Sequence, residues 1–242
     1  MPMEDATTTT DISPARHVWQ TSQPPSQRQE LNNRVQPRQL SHFSKYKMST
    51  GYEFPNGCRI THGDGANVKK PFANEGIDLT MHELSPSNNR GFRGQLGFIE
   101  FSTSYRLPRH IHMSSDRAKL VDERIMILHG VAMVEIAGEY FVVAPGSLVD
   151  TKGGVPHTFT ACPAGIKLPD GTVSSGTFTM VYEYEEPTSF FPTMSTEVVT
   201  DPAQYRAWEG SLEEIRFPQM PAEQVVKTAK VVLNKDLLDL SS

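Results

Sequence analysis

Arg109-His110-Ile111-His112-Met113 is a short run in which a single apolar residue separates two histidines. In a β-strand, residues i and i+2 lie on the same face, so both imidazoles would point to one side. Two imidazoles on one face can share a metal ion. The run therefore predicts a strand that carries two ligands of a metal site.

Further candidate ligands follow on separate strand-like segments. Glu123 stands just before the apolar run Ile125-Met126-Ile127-Leu128, and His157 follows Gly154-Val155-Pro156. Three histidines and one glutamate on separate strands converge only if the strands curl into a closed pocket. The order of these residues therefore favours a barrel with its polar site inside.

The first group resembles the first sequence motif of the cupin superfamily, G-x5-H-x-H-x3,4-E-x6-G. The chain keeps the pair His110 and His112, and it keeps the six-residue interval between Glu123 and Gly130. It departs from the motif in two ways. Ser104 stands where the motif opens with Gly, and ten residues separate His112 from Glu123.

Residues 146–157 resemble the second cupin motif, G-x5-P-x-G-x2-H-x3-N. Gly146, Gly154 and His157 keep the spacing of the motif, whereas Lys152 and Ala161 stand where it has Pro and Asn. The resemblance covers residues 95–190. It implies a single-domain, cupin type-2-like chain with a double-stranded β-helix, also called a jelly-roll barrel.

The metal site that this resemblance implies has four ligands, which are His110, His112, Glu123 and His157. Three imidazoles and one carboxylate suit a divalent cation such as Fe, Mn, Ni, Zn, Cu or Co. The long interval before Glu123 leaves two alternatives open. Asp122 or Asp116 could supply the carboxylate, or the site could consist of three histidines.

The strand pattern independently predicts an all-β barrel or sandwich. Short apolar segments alternate with turn signals about every ten residues. Residues 162–176 are rich in Gly and Pro and predict a hairpin that turns at Asp170-Gly171. Two C-terminal helices are also expected. Asp201-Pro202 would cap the first, and Pro221 would open the second, whose apolar residues recur at spacing four: Val225, Ala229, Leu233 and Leu237.

The chain divides into three predicted regions. Residues 1–45 are expected to be a disordered tail, 46–195 the cupin barrel, and 196–242 a C-terminal helical extension. Residues 1–42 hold one aromatic residue, Trp19, and are rich in Thr, Ser, Gln and Pro, so they cannot bury enough apolar area to offset their ordering entropy. An exchanged arm in a dimer is the functional alternative for this tail.

Composition excludes several classes of partner. The formal net charge of −5 argues against a nucleic acid, and no apolar run approaches the roughly 20 residues that span a membrane. The N-terminus lacks the pattern of a signal peptide. Cys58 and Cys162 fit no metal spacing, so we expect reduced thiols in a cytoplasmic protein. The cupin resemblance adds the expectation of a homodimer.

The strand over 177–186 supplies the candidate catalytic residues, Tyr182 and Tyr184, with Glu183 between them. The alternative is that both tyrosines belong to the barrel core. By strand parity, Arg109 should point away from His110 into solvent. His82, His129 and Lys152 are interpreted as exposed residues.

Three functions remain open at this stage. The first is a metal-dependent enzyme acting on a small organic molecule, either a natural-product tailoring dioxygenase or a non-redox isomerase, cyclase or lyase. The second is a cupin that binds a small molecule without turnover. The third is a regulatory or scaffold protein, which the absence of a basic patch and of a DNA-binding helical motif disfavours.

Overall fold

The computed structural model of the chain describes residues 51–63, 66–70, 81–84 and 94–240. The predicted tail over 1–45 and most of the strand expected over 77–82 lie outside these residues.

The first large sheet contains, in spatial order, β1 (Tyr52–Glu53), β2 (Arg59–Thr61), β10 (Leu148–Thr151), β7 (Glu123–Gly130), β12 (Thr177–Tyr184) and β5 (Leu96–Ser102). The second contains β13 (Thr188–Pro192), β6 (His110–Ser114), β11 (His157–Ala161), β8 (Ala132–Ile136), β9 (Glu139–Val143), β14 (Lys230–Leu233) and β15 (Asp236–Asp239). A hairpin is formed by β3 (Asn67–Lys69) and β4 (Met81–Glu83).

The topology is that of a jelly-roll barrel. Neighbouring strands such as β7 and β12, or β6 and β11, are far apart in sequence, and their pairings are antiparallel. The two sheets face each other and enclose a shared apolar core. The prediction of an all-β jelly roll is therefore confirmed.

Strand parity positions the core and the site together. Along β7, Glu123, Ile125 and Ile127 are buried, whereas Arg124 and Met126 between them are only half-buried. The first three side chains point into the barrel because alternate residues of a strand share a face. Ile125 and Ile127 lie in the core, and Glu123, on the same face of β7, points inward with them.

The C-terminal region contains less helix than the sequence predicts. A 3-10 helix follows the Asp201 cap at Pro202–Gln204, a second one spans Leu212–Ile215, and α1 spans Ala222–Thr228. The helix predicted after Pro221 thus begins as expected, but it stops at Thr228, and the chain continues as strands β14 and β15. No helix of the described segments is long and apolar enough to cross a membrane.

The C-terminal strands form because the edge of β9 is available for pairing. β14 runs parallel to β9, with Val231 opposite Val142, and buries Val231 and Val232. Asn234 adopts a positive φ of 57° in the turn to β15. β-Branched side chains favour strands, so tertiary pairing overrides the spacing-four pattern that predicted a helix.

Two glycines of the second motif differ in what surrounds them, and this predicts different costs of substitution. Both have positive φ, 81° at Gly154 and 78° at Gly146. A Cβ on Gly154 would lie 2.0 Å from the carbonyl oxygen of Val199, whereas a Cβ on Gly146 would meet nothing within 4 Å. We expect Gly154→Ala to lower the free energy of unfolding by about 3 kcal/mol or more, and Gly146→Ala by about 1–2 kcal/mol. Urea titration measures both, and equal costs would show that the Val199 carbonyl moves aside freely.

The two buried thiols predict a loss of stability at alkaline pH. Burial raises the pKa of Cys58 to about 11 and that of Cys162 to about 12, from an ordinary value near 9. Above pH 9 the unfolded chain therefore loses these protons while the folded chain keeps them. Between pH 9 and 11 each thiol should lower the free energy of unfolding by about 1.4 kcal/mol per pH unit. A Cys58→Ala/Cys162→Ala variant should show a shallower decline in urea titrations across this range, and an unchanged slope would refute the assignment.

Candidate metal centre

The four predicted metal ligands come together inside the barrel. His110 and His112 project from β6 and His157 from the adjacent β11, where its backbone pairs with that of His110. Glu123 projects from β7 in the facing sheet. One ligand atom from each residue lies within 4.8 Å of the other three, and all four side chains are buried. The site is thus assembled across the interior from both sheets.

The outer nitrogen of each imidazole contacts a backbone carbonyl. Nδ1 of His110 lies 2.8 Å from the carbonyl oxygen of Pro108. Nδ1 of His112 lies 3.3 Å from that of Ser189, and Nδ1 of His157 lies 2.9 Å from that of Val155. A carbonyl oxygen only accepts a hydrogen bond, so each Nδ1 carries the proton. In the neutral ring, Nε2 then presents its lone pair to the centre of the cluster, which is the arrangement of a metal-binding histidine.

The inner atoms of the cluster are close but lack hydrogen bonds of good geometry. Oε2 of Glu123 lies 2.9 Å from Nε2 of His157 and 3.4 Å from Nε2 of His112. None of these three atoms has a hydrogen-bond partner or access to solvent. Buried polar atoms are normally satisfied, and these three atoms converge without partners in the arrangement that the donors of a divalent cation would have.

Electrostatics agree with this interpretation. Burial, together with the neighbouring His157 and His112, holds the pKa of His110 well below its usual value, which keeps the ring neutral. Burial alone would raise the pKa of Glu123, but the adjacent His112 and His157 hold it below its usual range, so the carboxylate is ionised. Three imidazoles and one carboxylate match the donors of a divalent transition-metal ion, and the residues present fit such a group.

Glu123 reaches the site despite the ten residues that follow His112. The intervening segment folds back on itself as a short hairpin, in which Met113 pairs with Leu120 and the N–H of Ser114 donates to the Lys119 carbonyl at 2.8 Å. The N–H of Val121 then donates to the carbonyl of His112 at 3.1 Å. The insertion therefore returns the chain to where it left β6.

The alternative carboxylates are used elsewhere. Asp116 is exposed and accepts hydrogen bonds from Ser114 and from the N–H of Ala118. Asp122 accepts from Lys152 at 2.6 Å and from the N–H of Gly153 at 2.8 Å. Neither belongs to the cluster of possible metal ligands found among the described residues.

A cavity of about 280 Å³ adjoins the cluster at the edge of the barrel where β5 and β13 end the two sheets. Its lining comprises Gln95, Ile99, Leu107, His110, His112, Glu123, Phe159, Met180, Tyr182, Tyr184, Thr188, Ser189 and Phe190. Met180, Tyr182 and Tyr184 share one face of β12 because alternate residues of a strand point to the same side. Both candidate catalytic tyrosines therefore border the space in which a ligand of the centre would lie.

Tyr184 is the tyrosine nearer to the cluster. Its ring centroid lies 4.6 Å from that of His112. The ring centroid of Tyr182 lies 5.3 Å from that of Tyr184. Burial and the nearby Glu123 carboxylate raise the pKa of Tyr184, so its phenol stays protonated. A protonated phenol therefore borders the cluster.

The prediction that Arg109 points into solvent is wrong. Its Nε donates to Oε1 of Glu135 at 2.7 Å and its Nη1 to the carbonyl of Met194 at 2.7 Å. The parity argument that turns Arg109 away from His110 holds, but buried Glu135 lies on that side of the sheet and pairs with it. His82 and His129 are exposed, as predicted. Lys152 is a half-exposed turn residue paired with Asp122.

Sequence reasoning missed the side chains that close the cavity. Phe190 on β13 packs its ring 4.5 Å from that of His110. The side-chain oxygen of Gln95 accepts from the N–H of Thr188 at 3.4 Å and so links the edges of the two sheets. The alternation of β5 alone could have pointed to Ile99, but no sequence signal shows which strand edges will meet.

The chain resembles several solved structures. ChmJ, a 3'-monoepimerase from Streptomyces bikiniensis in complex with dTDP-quinovose, has a TM-score of 0.41 at 9% identity over 74% of this chain and 92% of that chain. NovW, a 4-keto-6-deoxy sugar epimerase of Streptomyces spheroides, has a TM-score of 0.40 at 10% identity over 67% and 87%. The polyketide cyclase RemF of Streptomyces resistomycificus has a TM-score of 0.30 at 18% identity over 60% and 89%. No family model and no curated protein matches the chain. Its function is therefore argued from its own residues.

Proposed function

We propose that the protein is a metal-dependent enzyme that acts on a small organic molecule in the barrel. The observation that carries this proposal is the convergence of three imidazole lone pairs and one carboxylate, all buried, within 4.8 Å of one another. His110, His112, His157 and Glu123 would hold a divalent Fe, Mn, Ni, Zn or Cu ion. When bound, such an ion polarises a carbonyl or hydroxyl oxygen of the substrate as a Lewis acid.

The position of the tyrosines favours an enzyme over a protein that only binds its ligand. A binding site needs donors and shape, whereas turnover needs a group that moves a proton. Tyr184 supplies one at the wall of the cavity, and Tyr182 lies beside it. We assign Tyr184 as the general acid and Tyr182 as its polar neighbour at the mouth.

This arrangement supports non-redox chemistry, the reaction class of an isomerase, cyclase or lyase. An enol substrate would lose its hydroxyl proton to solvent on binding, Tyr184 would deliver its phenolic proton to the carbon of the resulting enolate, and the phenolate would regain a proton from water. The apolar side chains of Leu107, Phe159 and Met180 keep bulk water from the reacting carbon. A dioxygenase is the second candidate, because the same His and carboxylate donors would also hold Fe(II), which would supply redox chemistry.

The reaction class can be tested before the substrate is known. Metal-loaded protein in D2O is incubated with a panel of small enolisable ketones and phenols, and deuterium incorporation is followed by NMR while an electrode records oxygen uptake. Deuterium exchange without oxygen uptake supports the isomerase, cyclase or lyase. Oxygen uptake supports the dioxygenase. If neither occurs with any compound that binds, the binding module is the better account.

Tyr184→Phe tests the assignment of the general acid. Removing the hydroxyl should lower the rate of deuterium exchange by about 10²-fold, because general acid catalysis contributes at least that factor. Metal content should stay the same, since Tyr184 is not among the four donors. Tyr105→Phe, at an exposed tyrosine outside the cavity, is the matched control and should leave the rate unchanged. An undiminished rate in Tyr184→Phe would remove this residue from the mechanism.

A further inference from the structure

The cavity beside the metal centre carries aromatic side chains on both of its walls. Phe159 and Phe190 come from β11 and β13 of one sheet, and Tyr182 and Tyr184 come from β12 of the facing sheet. Aromatic rings attract one another in stacked and edge-to-face contacts. A planar conjugated molecule entering between the sheets would meet such rings on either side.

The volume of the cavity limits the size of that molecule. At about 280 Å³ it lies at or below the range of about 300–1,000 Å³ that is usual for drug-sized ligands. A single ring with short substituents fits this space, and a larger molecule would have to extend out of the mouth. The mouth is narrowed where Gln95 joins Thr188 across the two sheet edges.

The charge inside the cavity limits the chemistry of the ligand. Of the described residues that line it, Glu123 is the only acid, and none is Lys or Arg. A divalent cation, one carboxylate and three neutral imidazoles sum to a net charge of +1. Burying an uncompensated charge is costly, so one monoanionic oxygen ligand neutralises the centre, whereas a phosphate dianion leaves excess negative charge without a counter-ion.

We propose, on the basis of the function proposed above, that the substrate class is a compact, uncharged, conjugated enol or phenol. It gives up its hydroxyl proton to solvent on binding and occupies the site as a monoanion, and the site discriminates against phosphorylated molecules.

Phe190 is the specificity-determining side chain in this proposal. It lies on β13 at the mouth, is 41% exposed, and tilts 35° to the ring of His110 at 4.5 Å. In this position its ring can contact the face of a planar ligand whose oxygen reaches the donors below.

Two probes of similar ring size separate the proposed class from its alternative. Tropolone is an uncharged conjugated enol, and phenyl phosphate carries its charge on a phosphate group. Each is titrated calorimetrically into zinc-loaded protein at pH 7, where phenyl phosphate is mainly the dianion. We expect tropolone to bind at least about tenfold more tightly and to release protons, measured from the difference between two buffers of unlike ionisation enthalpy.

Matched substitutions test the two walls. Phe190→Ala should weaken the binding of tropolone about threefold to tenfold, because a ring contact is lost. The control is Phe98→Ala, at a phenylalanine 70% exposed on the outer face of β5, which should leave this affinity unchanged. Ile99→Arg places a cation in the cavity and should strengthen the binding of phenyl phosphate about tenfold. Leu96→Arg adds the same charge to the opposite face of the same strand and should leave the affinity for phenyl phosphate unchanged.

The outcomes separate this inference from the function on which it rests. Failure of the protein to take up zinc refutes the proposed function, and the substrate class falls with it. Stoichiometric zinc with equal or tighter binding of phenyl phosphate refutes the substrate class alone. Loss of zinc to tropolone during gel filtration also counts against it, since a site built for such a ligand keeps its metal. An unchanged affinity in Phe190→Ala removes the role of that side chain.

Discussion

A His110→Ala/His112→Ala variant should lose the metal that the wild-type protein binds. The substitutions remove two of four donors from a site whose remaining donors are His157 and Glu123. Loss of a group that merely supports a metal ligand costs about 10–100-fold in affinity, so loss of two ligands should cost at least about 100-fold. Elemental mass spectrometry on protein purified without chelator should find about one divalent ion per wild-type chain and almost none in the variant.

The control variant replaces two histidines that lie outside the cluster. His82 and His129 are exposed, so a His82→Ala/His129→Ala variant should keep the wild-type metal content. Glu123→Gln keeps the shape of the carboxylate but not its charge. We expect it to weaken metal binding, whereas full retention would establish a site of three histidines. Equal metal in the wild type and in the His110→Ala/His112→Ala variant would place the ion elsewhere.

The clustering of the four candidate metal ligands could be predicted from sequence because the two cupin motifs that imply it are short. Strand parity puts His110 and His112 on one face, and short intervals tie Glu123 and His157 to strands of their own. The all-β barrel or sandwich follows from the same regularity, since many short alternating strands have few ways to bury their apolar faces. The resemblance to the cupin motifs narrowed this prediction to a jelly roll. The parity of β12 likewise placed Tyr182 and Tyr184 on one face.

The failures share a physical cause, which is dependence on contacts between distant segments. The spacing-four pattern at Val225 and Ala229 correctly predicted a helix, but whether it continued to Leu233 depended on the free edge of β9. Phe190 and Gln95 line the cavity because the edges of two sheets meet there, and no property of either residue reports that meeting. Arg109 was assigned to solvent because its partner, Glu135, is 26 positions away on another strand.

That missed ion pair predicts a large effect of a single substitution on stability. Glu135 is 1% exposed and Arg109 17% exposed, and their Oε1 and Nε atoms are 2.7 Å apart. Arg109→Ala would leave a buried carboxylate without a counter-charge and leave the Met194 carbonyl without its donor. We expect the free energy of unfolding to fall by about 3–5 kcal/mol. Urea titration of metal-free protein measures this directly, because bound metal would add its own stabilisation.

The double variant Arg109→Met/Glu135→Leu decides whether the pair itself stabilises the barrel. Moving both charges from water into the protein costs several kcal/mol, which their attraction only partly offsets, and the second carboxylate oxygen of Glu135 has no hydrogen-bond partner. Replacing both side chains by apolar ones should therefore restore stability to within about 2 kcal/mol of the wild type. Lys152→Ala, which breaks the half-exposed pair with Asp122, is the control and should cost less than about 1 kcal/mol. If the double variant is as unstable as Arg109→Ala, the loss comes from the packing and hydrogen bonds of Arg109 and not from the uncompensated charge.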